Sequence, residues 1–259
     1  MIAGTDHKEI QISPNEPVIE VSGLYKSFGD NHVLIDFSLK LYKGQNLVVL
    51  GKSGSGKSVL IKCIVGLLTP DKGSIKVLGR EVTSMSQQEL DEIRVHIGFL
   101  FQNSALYDSM TVRENLEFPM RRHMSHLTEE ESLSIVQEAL DNVGLGHTLD
   151  MMPAELSGGM RKRIGLARTL ILRPELVLYD EPTTGLDPIT GREIVHLMLA
   201  LQKKYNTSSI IISHDMEVAH TTANNLIVLV DGRNHAEGSF DELKKRDDPK
   251  VKQFFASMI

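Results

Sequence analysis

"NLVVLGKSGSGKSVLIKCIVGLL", residues 46–68, holds a strand, a loop and a helix in one stretch. "NLVVLG" (46–51) is a short continuous apolar run ending at glycine, the pattern of a strand buried on both faces in a parallel sheet. "VLIKCIVGLL" (59–68) reads as an apolar helix. Between them "GKSGSGKS" (51–58) fits G-x-x-x-x-G-K-[ST] in full, in the strand-before, helix-after context the motif requires. Gly51, Gly54 and Gly56 let the backbone curl so that successive N–H groups, with Lys52, Ser53 and Ser55 completing the loop, face phosphates. Lys57 supplies a point charge to the β- and γ-phosphates, and Ser58 an oxygen ligand to Mg2+. An ordinary glycine-rich turn would need neither this spacing nor these flanks.

A magnesium-bound nucleotide wants a second acidic ligand at the end of a neighbouring strand. "LVLYDE" (176–181) delivers Asp180 after four apolar strand residues, and Glu181 next to it can polarise an attacking water. Without the phosphate loop, such an acidic pair would more often be a solvated turn. Three further residues have readings of the same kind. His214 follows the buried run "SSIII" (208–212) and can bond the γ-phosphate or the water, or be a structural strand-end histidine. Gln102, after "IGFLF" (97–101), can reach magnesium or water; alone it would be an unremarked polar residue. Tyr25 can stack on a purine ring, or be a half-buried strand aromatic.

The wider pattern is α/β. "ELVLYDEP" (175–182), the 208–214 run and "NNLIVLVDG" (224–232) repeat the buried-strand type, with helical stretches between them, so a parallel sheet follows. "VIEVSGLYKSF" (18–28) and "LIDFSLKLYKG" (34–44) alternate apolar and polar residues, as half-buried strands do. About 103–170 lacks buried-strand runs and reads as an inserted helical subdomain. Within it "TEEESLSIVQEALDNVGL" (128–145) places Leu133, Val136, Leu140 and Val143 on one helical face behind a cap and an acidic first turn. Residues 1–17 read as a flexible polar segment, 18–243 as the main domain and 244–259 as a helical tail.

The chain has 259 residues, ample for a substantial core, and a formal charge of −6 that argues against a general nucleic-acid binder. The single cysteine, Cys63, excludes an internal disulfide framework and reads as a small buried residue. "MIAGTDHKEIQISPNEP" (1–17) shows no apolar core of a secretory signal. No apolar run approaches the roughly 18 residues that read as a membrane span, so work at a membrane needs a partner.

"ELSGGMRKRIGLARTL" (155–170) poses a question of its own: Ser157 can cap a helix, yet two glycines follow it, each costing about 1 kcal/mol against alanine inside a helix. Glycine is tolerated where something must approach the backbone, and a helix N-terminus attracts anions.

With these residues assembled, the chain resembles the nucleotide-binding subunits of ATP-binding cassette (ABC) transporters, over about 18–243. The motifs stand in the family's order: Tyr25 as the A-loop, "GKSGSGKS" as Walker A, Gln102 as the Q-loop, "LSGGM" (156–160) as the signature, "LVLYDE" as Walker B, "GLD" (185–187) as the D-loop and His214 as the switch histidine. The resemblance implies a P-loop ATPase core with a mixed sheet, an antiparallel β subdomain and an α-helical insertion. It implies ATP hydrolysis with Mg2+ held by Ser58, Gln102 and Asp180. It also implies a head-to-tail homodimer, in which Ser157, Gly158 and Gly159 of one subunit meet the ATP on the other and Asp187 communicates across the interface. Met160 stands where the family more often has glutamine, and leaves Ser-Gly-Gly intact.

"FLFQNSALYDSMTVRENLEFPMR" (99–121), "PAELSGGM" (153–160) and "YDEPTTGLDPITG" (179–191) further resemble the Mla-type ATPases. These energise phospholipid trafficking between inner and outer membranes, with a multi-span permease and an MCE-domain substrate-binding protein. The implied place is the cytoplasmic face of the inner membrane, as a peripheral subunit. Leu106, Tyr107 and Met110 fall in the family's usual permease-docking segment. In the tail, Val251, Phe254, Phe255 and Met258 share a helical face that packs either on its own domain or on a partner. The rival functions are an ABC transporter of another cargo, and an ABC ATPase acting as a clamp or regulator on DNA or ribosomes.

Overall fold

The computed structural model describes Ile10, Ser13 and residues 15–256. Strands β1 (Ile19–Phe28) and β2 (Asn31–Leu41) form a hairpin with Phe28 opposite Asn31, turning at Gly29, whose φ is 58°. β3 (Asn46–Leu50) leads through the phosphate loop into α1 (Lys57–Ile64). β4 (Lys72–Val77), β5 (Arg80–Glu81), α2 (Gln87–Arg94) and β6 (Ile97–Leu100) follow. Then come α3 (Val112–His123), α4 (Glu129–Asn142) and α5 (Gly158–Leu170). The chain continues through β7 (Leu176–Asp180), α6 (Pro188–Tyr205), β8 (Ser208–Ser213), α7 (Met216–Thr222), β9 (Asn225–Val230) and β10 (Arg233–Gly238). It finishes with α8 (Phe240–Lys245) and α9 (Pro249–Phe255).

Two sheets result. One is antiparallel, in the order β2-β1-β4-β5; the other runs β10-β9-β3-β8-β7-β6. The second is parallel from β9 to β6, with β10 antiparallel at its edge. All five residues of β3 are buried, as the unbroken apolar run requires. Its side chains alternate between two cores: Val48 and Leu50 face the cluster built with α3 to α9, while Leu47 and Val49 face α1 and the antiparallel sheet. Each fully buried aliphatic side chain of this kind contributes about 1.5–3 kcal/mol of transfer free energy.

The register places the functional edge. Leu50 lies level with Ser213, Asp180 with Ile212, and Leu100 with Tyr179. Gly51, Glu181, His214 and the segment leading to Gln102 therefore leave the sheet side by side at its carboxyl edge, where open α/β sheets bind ligands.

The helices α3, α4 and α5 lie between β6 and β7, and capping boxes Thr111/Glu114 and Thr128/Glu131 start the first two. Of the face read on α4, Val136, Leu140 and Val143 are buried and Leu133 is half-buried, while Ile135 joins the buried set. Cys63 is buried. Ile10 is half-buried against the core and its N–H reaches Glu175 Oε1 at 3.4 Å, so at this residue the expected flexible segment is seated on the domain. On α9, Val251 and Phe255 are buried in the main core, and Phe255 meets Phe240 at 5.2 Å between ring centres. These two positions pack in cis; Met258 lies outside the described residues.

Candidate active site

Helix α1 begins without a side-chain cap: its N-cap is Gly56, with φ 101°. The first turn of a helix leaves four N–H groups without intrahelical acceptors, and among the described residues no side-chain cap answers them. A Cβ on Gly56 would sit 2.8 Å from Val33 Cγ1 and 2.9 Å from the Val33 carbonyl, and one on Gly51 would collide with Ser55 Oγ. Gly54 also holds a positive φ, 78°. The Ser55 hydroxyl is buried and has no hydrogen-bond partner among the described residues. Curled backbone, free donors and an orphaned hydroxyl form a cradle of the shape and polarity that phosphate oxygens fit.

Lys57, 5% exposed, donates to the carbonyls of Gly51 at 2.8 Å and Lys52 at 3.1 Å, and its ammonium lies 3.2 Å from Glu181 Oε1. Ser58 Oγ donates to Asp180 Oδ1 at 3.2 Å. Burial pushes the Asp180 carboxyl above its ordinary range, with the Ser58 hydrogen bond opposing. A hydroxyl and a carboxylate that burial makes reluctant to ionise are hard oxygen donors suited to a divalent cation, which would favour the charged form.

Glu181 takes a left-handed backbone, φ 48°, a strain of about 1–3 kcal/mol for a residue with a Cβ. It is held by its N–H to Ile212 O at 3.0 Å, by Lys57, and by His214 Nδ1, 2.8 Å from Oε2. His214 itself is exposed, and the next residue, Asp215, caps α7 by accepting from the Glu217 N–H at 2.8 Å. The arrangement presents a carboxylate with an imidazole on one oxygen and an ammonium on the other, a constellation able to orient a water and stabilise charge growing opposite it.

The structure thus brings Gly51–Ser58, Asp180, Glu181 and His214 together. The Gln102 side chain is exposed and takes no part in that hydrogen-bonded group; its carbonyl accepts from Lys162 Nζ at 2.6 Å. Tyr25 is half-buried on β1 with the Lys72 ammonium 5.9 Å from its ring centre. Ser157 caps α5 by accepting from the Met160 N–H at 3.2 Å, and Asp187 caps α6 by accepting from Ile189 and Thr190 N–H groups at 3.0 Å. The Thr190 side chain first, and then the Thr190 and Ile189 N–H groups, hold the Asp187 carboxyl below its usual range. Of the docking residues, Tyr107 is exposed and stacks beside exposed Phe118 at 4.8 Å, whereas Leu106 and Met110 are half-buried. Lys162 went unread in the sequence: a lysine among "MRKR" has the look of a solvated face, and only the fold buries it.

The ABC transporter family profile matches residues 34–184, more than half of the chain. The chain belongs to the ABC transporter ATPase family. This ABC ATPase is 41% identical over 93% of its length to the "Probable ribonucleotide transport ATP-binding protein mkl" of Mycobacterium leprae, and spans about two thirds of the mycobacterial relatives' length. It is 38% identical to the "Intermembrane phospholipid transport system ATP-binding protein MlaF" of Haemophilus influenzae, over 93% of this chain and 90% of that one. Among solved structures, a dimeric post-hydrolysis state of the cassette MJ0796 bound to ADP and Pi superposes with TM-score 0.78 at 29% identity. It covers 85% of this chain and 98% of that one. The ABC ATPase therefore binds and hydrolyses ATP as the energising subunit of a transporter.

Proposed function

We propose that this chain drives phospholipid trafficking between inner and outer membranes, as a homodimer beneath a multi-span permease that works with an MCE-domain substrate-binding protein. The observation that carries the cargo is the likeness to MlaF along nearly the full length of both chains. The dimeric MJ0796 cassette supports the paired state. No helix among the described residues is long and apolar enough to cross a membrane, which suits a peripheral subunit at the cytoplasmic face of the inner membrane, held there through the permease.

In this reading Tyr25 stacks on adenine, while Gly51, Lys52, Ser53, Gly54, Ser55 and Gly56 wrap the phosphates with backbone N–H groups. Capture of Lys57 by the β- and γ-phosphates draws its ammonium away from Glu181, 3.2 Å distant, and frees that carboxylate to accept a proton from water. His214 holds the other Glu181 oxygen and reaches toward the γ-phosphate. Mg2+, held by Ser58, Asp180 and Gln102, would neutralise phosphate charge. Ser157, whose oxygen already accepts from Met160, still has its O–H to donate, and with Gly158 and Gly159 it caps the nucleotide on the second subunit. Asp187 orders the D-loop at that interface through its cap.

The test is affinity purification of the tagged chain from detergent-solubilised membranes, with mass spectrometry of proteins and lipids. A permease, an MCE-domain protein and bound phospholipid are expected. A permease without either would discard the lipid cargo in favour of another, such as the ribonucleotide named for the mycobacterial relative. Recovery of soluble partners alone would move the protein to the clamp-or-regulator class.

A further inference from the structure

One face of α5 grips the segment 99–105 by its carbonyls. Lys162 Nζ donates to Gln102 O at 2.6 Å, the Arg168 guanidinium to Ser104 O at 3.0 Å and Ala105 O at 2.8 Å, and Thr169 Oγ1 to Phe99 O at 3.3 Å. Ser104 and Ala105 are both left-handed, with φ 59° and 49°, so this backbone is held in a conformation that it would not adopt by itself. Gly165, on the same face, lets the two approach: a Cβ there would lie 3.0 Å from Ser104 Cβ and 3.2 Å from Leu100 Cδ1.

Lys162 is the unusual member. It is 3% exposed, its hydrogen bond goes to a neutral carbonyl, and Asp180 is the carboxylate that favours its charge. A methionine would fill the same space without desolvating a charge, so stability does not explain the lysine. Gln102, by contrast, gains a fixed position from it, and Lys162 stands five residues beyond Ser157 on the same helix, about 7.5 Å along the axis.

We propose that Lys162 is a positioning residue for hydrolysis: by holding the Gln102 carbonyl, it makes the signature helix and the Gln102 segment one mechanical body. Engagement of Ser157–Gly159 by nucleotide on the second subunit then sets where Gln102 stands relative to Ser58 and Asp180. This rests on the assignment of Gln102 to the catalytic site.

The test uses the purified full chain and its variants Lys162→Met, Lys162→Gln and Gln102→Ala, with steady-state ATPase kinetics, ATP binding by calorimetry and thermal melting. Lys162→Met is expected to lower kcat about ten- to hundredfold, as small misplacements do. KM and ATP affinity should hold, and the melting temperature should stay at or above that of the parent. Lys162→Gln, which keeps an N–H donor without the charge, is expected to restore much of kcat. Parent-like kcat in Lys162→Met overturns the proposal, as does equal loss in both variants, which would assign the effect to charge, and so does a loss that tracks melting. Undiminished hydrolysis by Gln102→Ala would instead sink the assignment of Gln102 itself; an inactive Gln102→Ala beside an active Lys162→Met sinks the lysine's role alone.

Discussion

Two glycine-rich helix starts, at α1 and α5, offer backbone N–H groups to anions, and they are built in opposite ways. At α1 the N-cap is a glycine at φ 101° with no side-chain cap, wedged against Val33. At α5 the N-cap is Ser157 in extended backbone, φ −65°, already accepting from Met160. The glycines differ too. Gly56 is demanded by its own chain on both conformation and space. Gly159 has a partial intrachain reason, since a Cβ there would come within 2.7 Å of Thr190 Cγ2. Gly158 has little: a Cβ would meet only Leu186 Cδ2, at 3.8 Å. The α1 start is completed within one chain. The α5 start is a stable helix whose exposed glycine makes sense when a second surface arrives.

The strongest way to break this contrast is Lys57→Ala. Each charge-assisted bond lost to phosphate is worth about 1.5–3 kcal/mol, so calorimetric ATP affinity should fall about tenfold or more. Unaltered affinity would mean that α1 is not the primary site. Next is the pair Gly56→Ala and Gly158→Ala. The first forces a Cβ into a left-handed, crowded position and should cost about 1–3 kcal/mol, a fall of several degrees in melting temperature. The second should leave melting unchanged or raise stability by about 0.5–1 kcal/mol, yet weaken ATP-dependent dimerisation in sizing experiments on a Glu181→Gln background. Equal melting penalties for both would erase the distinction.

Ser157→Ala sharpens it further by removing a cap worth about 1 kcal/mol, a drop of a few degrees that ATP-free protein should already show. The smallest effect on melting belongs to Asp180→Asn. Burial raises the folded-state pKa of Asp180, so its favourable contribution is complete below its unfolded pKa and is lost as pH rises through the folded value. At neutral pH the asparagine variant should therefore melt slightly higher than the parent without nucleotide. That advantage should shrink on acidification to below pH about 4, while magnesium-dependent hydrolysis is lost. A variant that melts lower at neutral pH would show that the Ser58 bond outweighs the burial penalty.

What could be read from residues alone divides along a physical line. β3, β7, β8 and β9 were legible because strands buried on both faces spell continuous apolar runs. β10, "RNHAEG", was not: a polar antiparallel edge strand has no apolar pattern, and only pairing with β9 makes it a strand. β4, "KGSIKV", is short and half polar, and β1 and β2 needed it as a third partner. On α4 the apolar period was legible at Val136, Leu140 and Val143, all buried; it missed Ile135, which is also buried, and it included Leu133, which is only half-buried.

By itself the sequence determined the parts: a phosphate loop with its glycines, acids that end a strand, a histidine after another, and a Ser-Gly-Gly helix start. Each depends on a few adjacent residues, whose φ preferences, caps and burial periodicity are local. Which parts meet was decided by tertiary structure. The register of β3 with β8, and of β8 with β7, places Lys57 3.2 Å from Glu181 across 124 positions of chain, and sets Glu181 beside His214. Packing of α5 on β6 buried Lys162 against Gln102. Contacts across such separations are set by core packing and by closing long loops, and no short-range pattern encodes them.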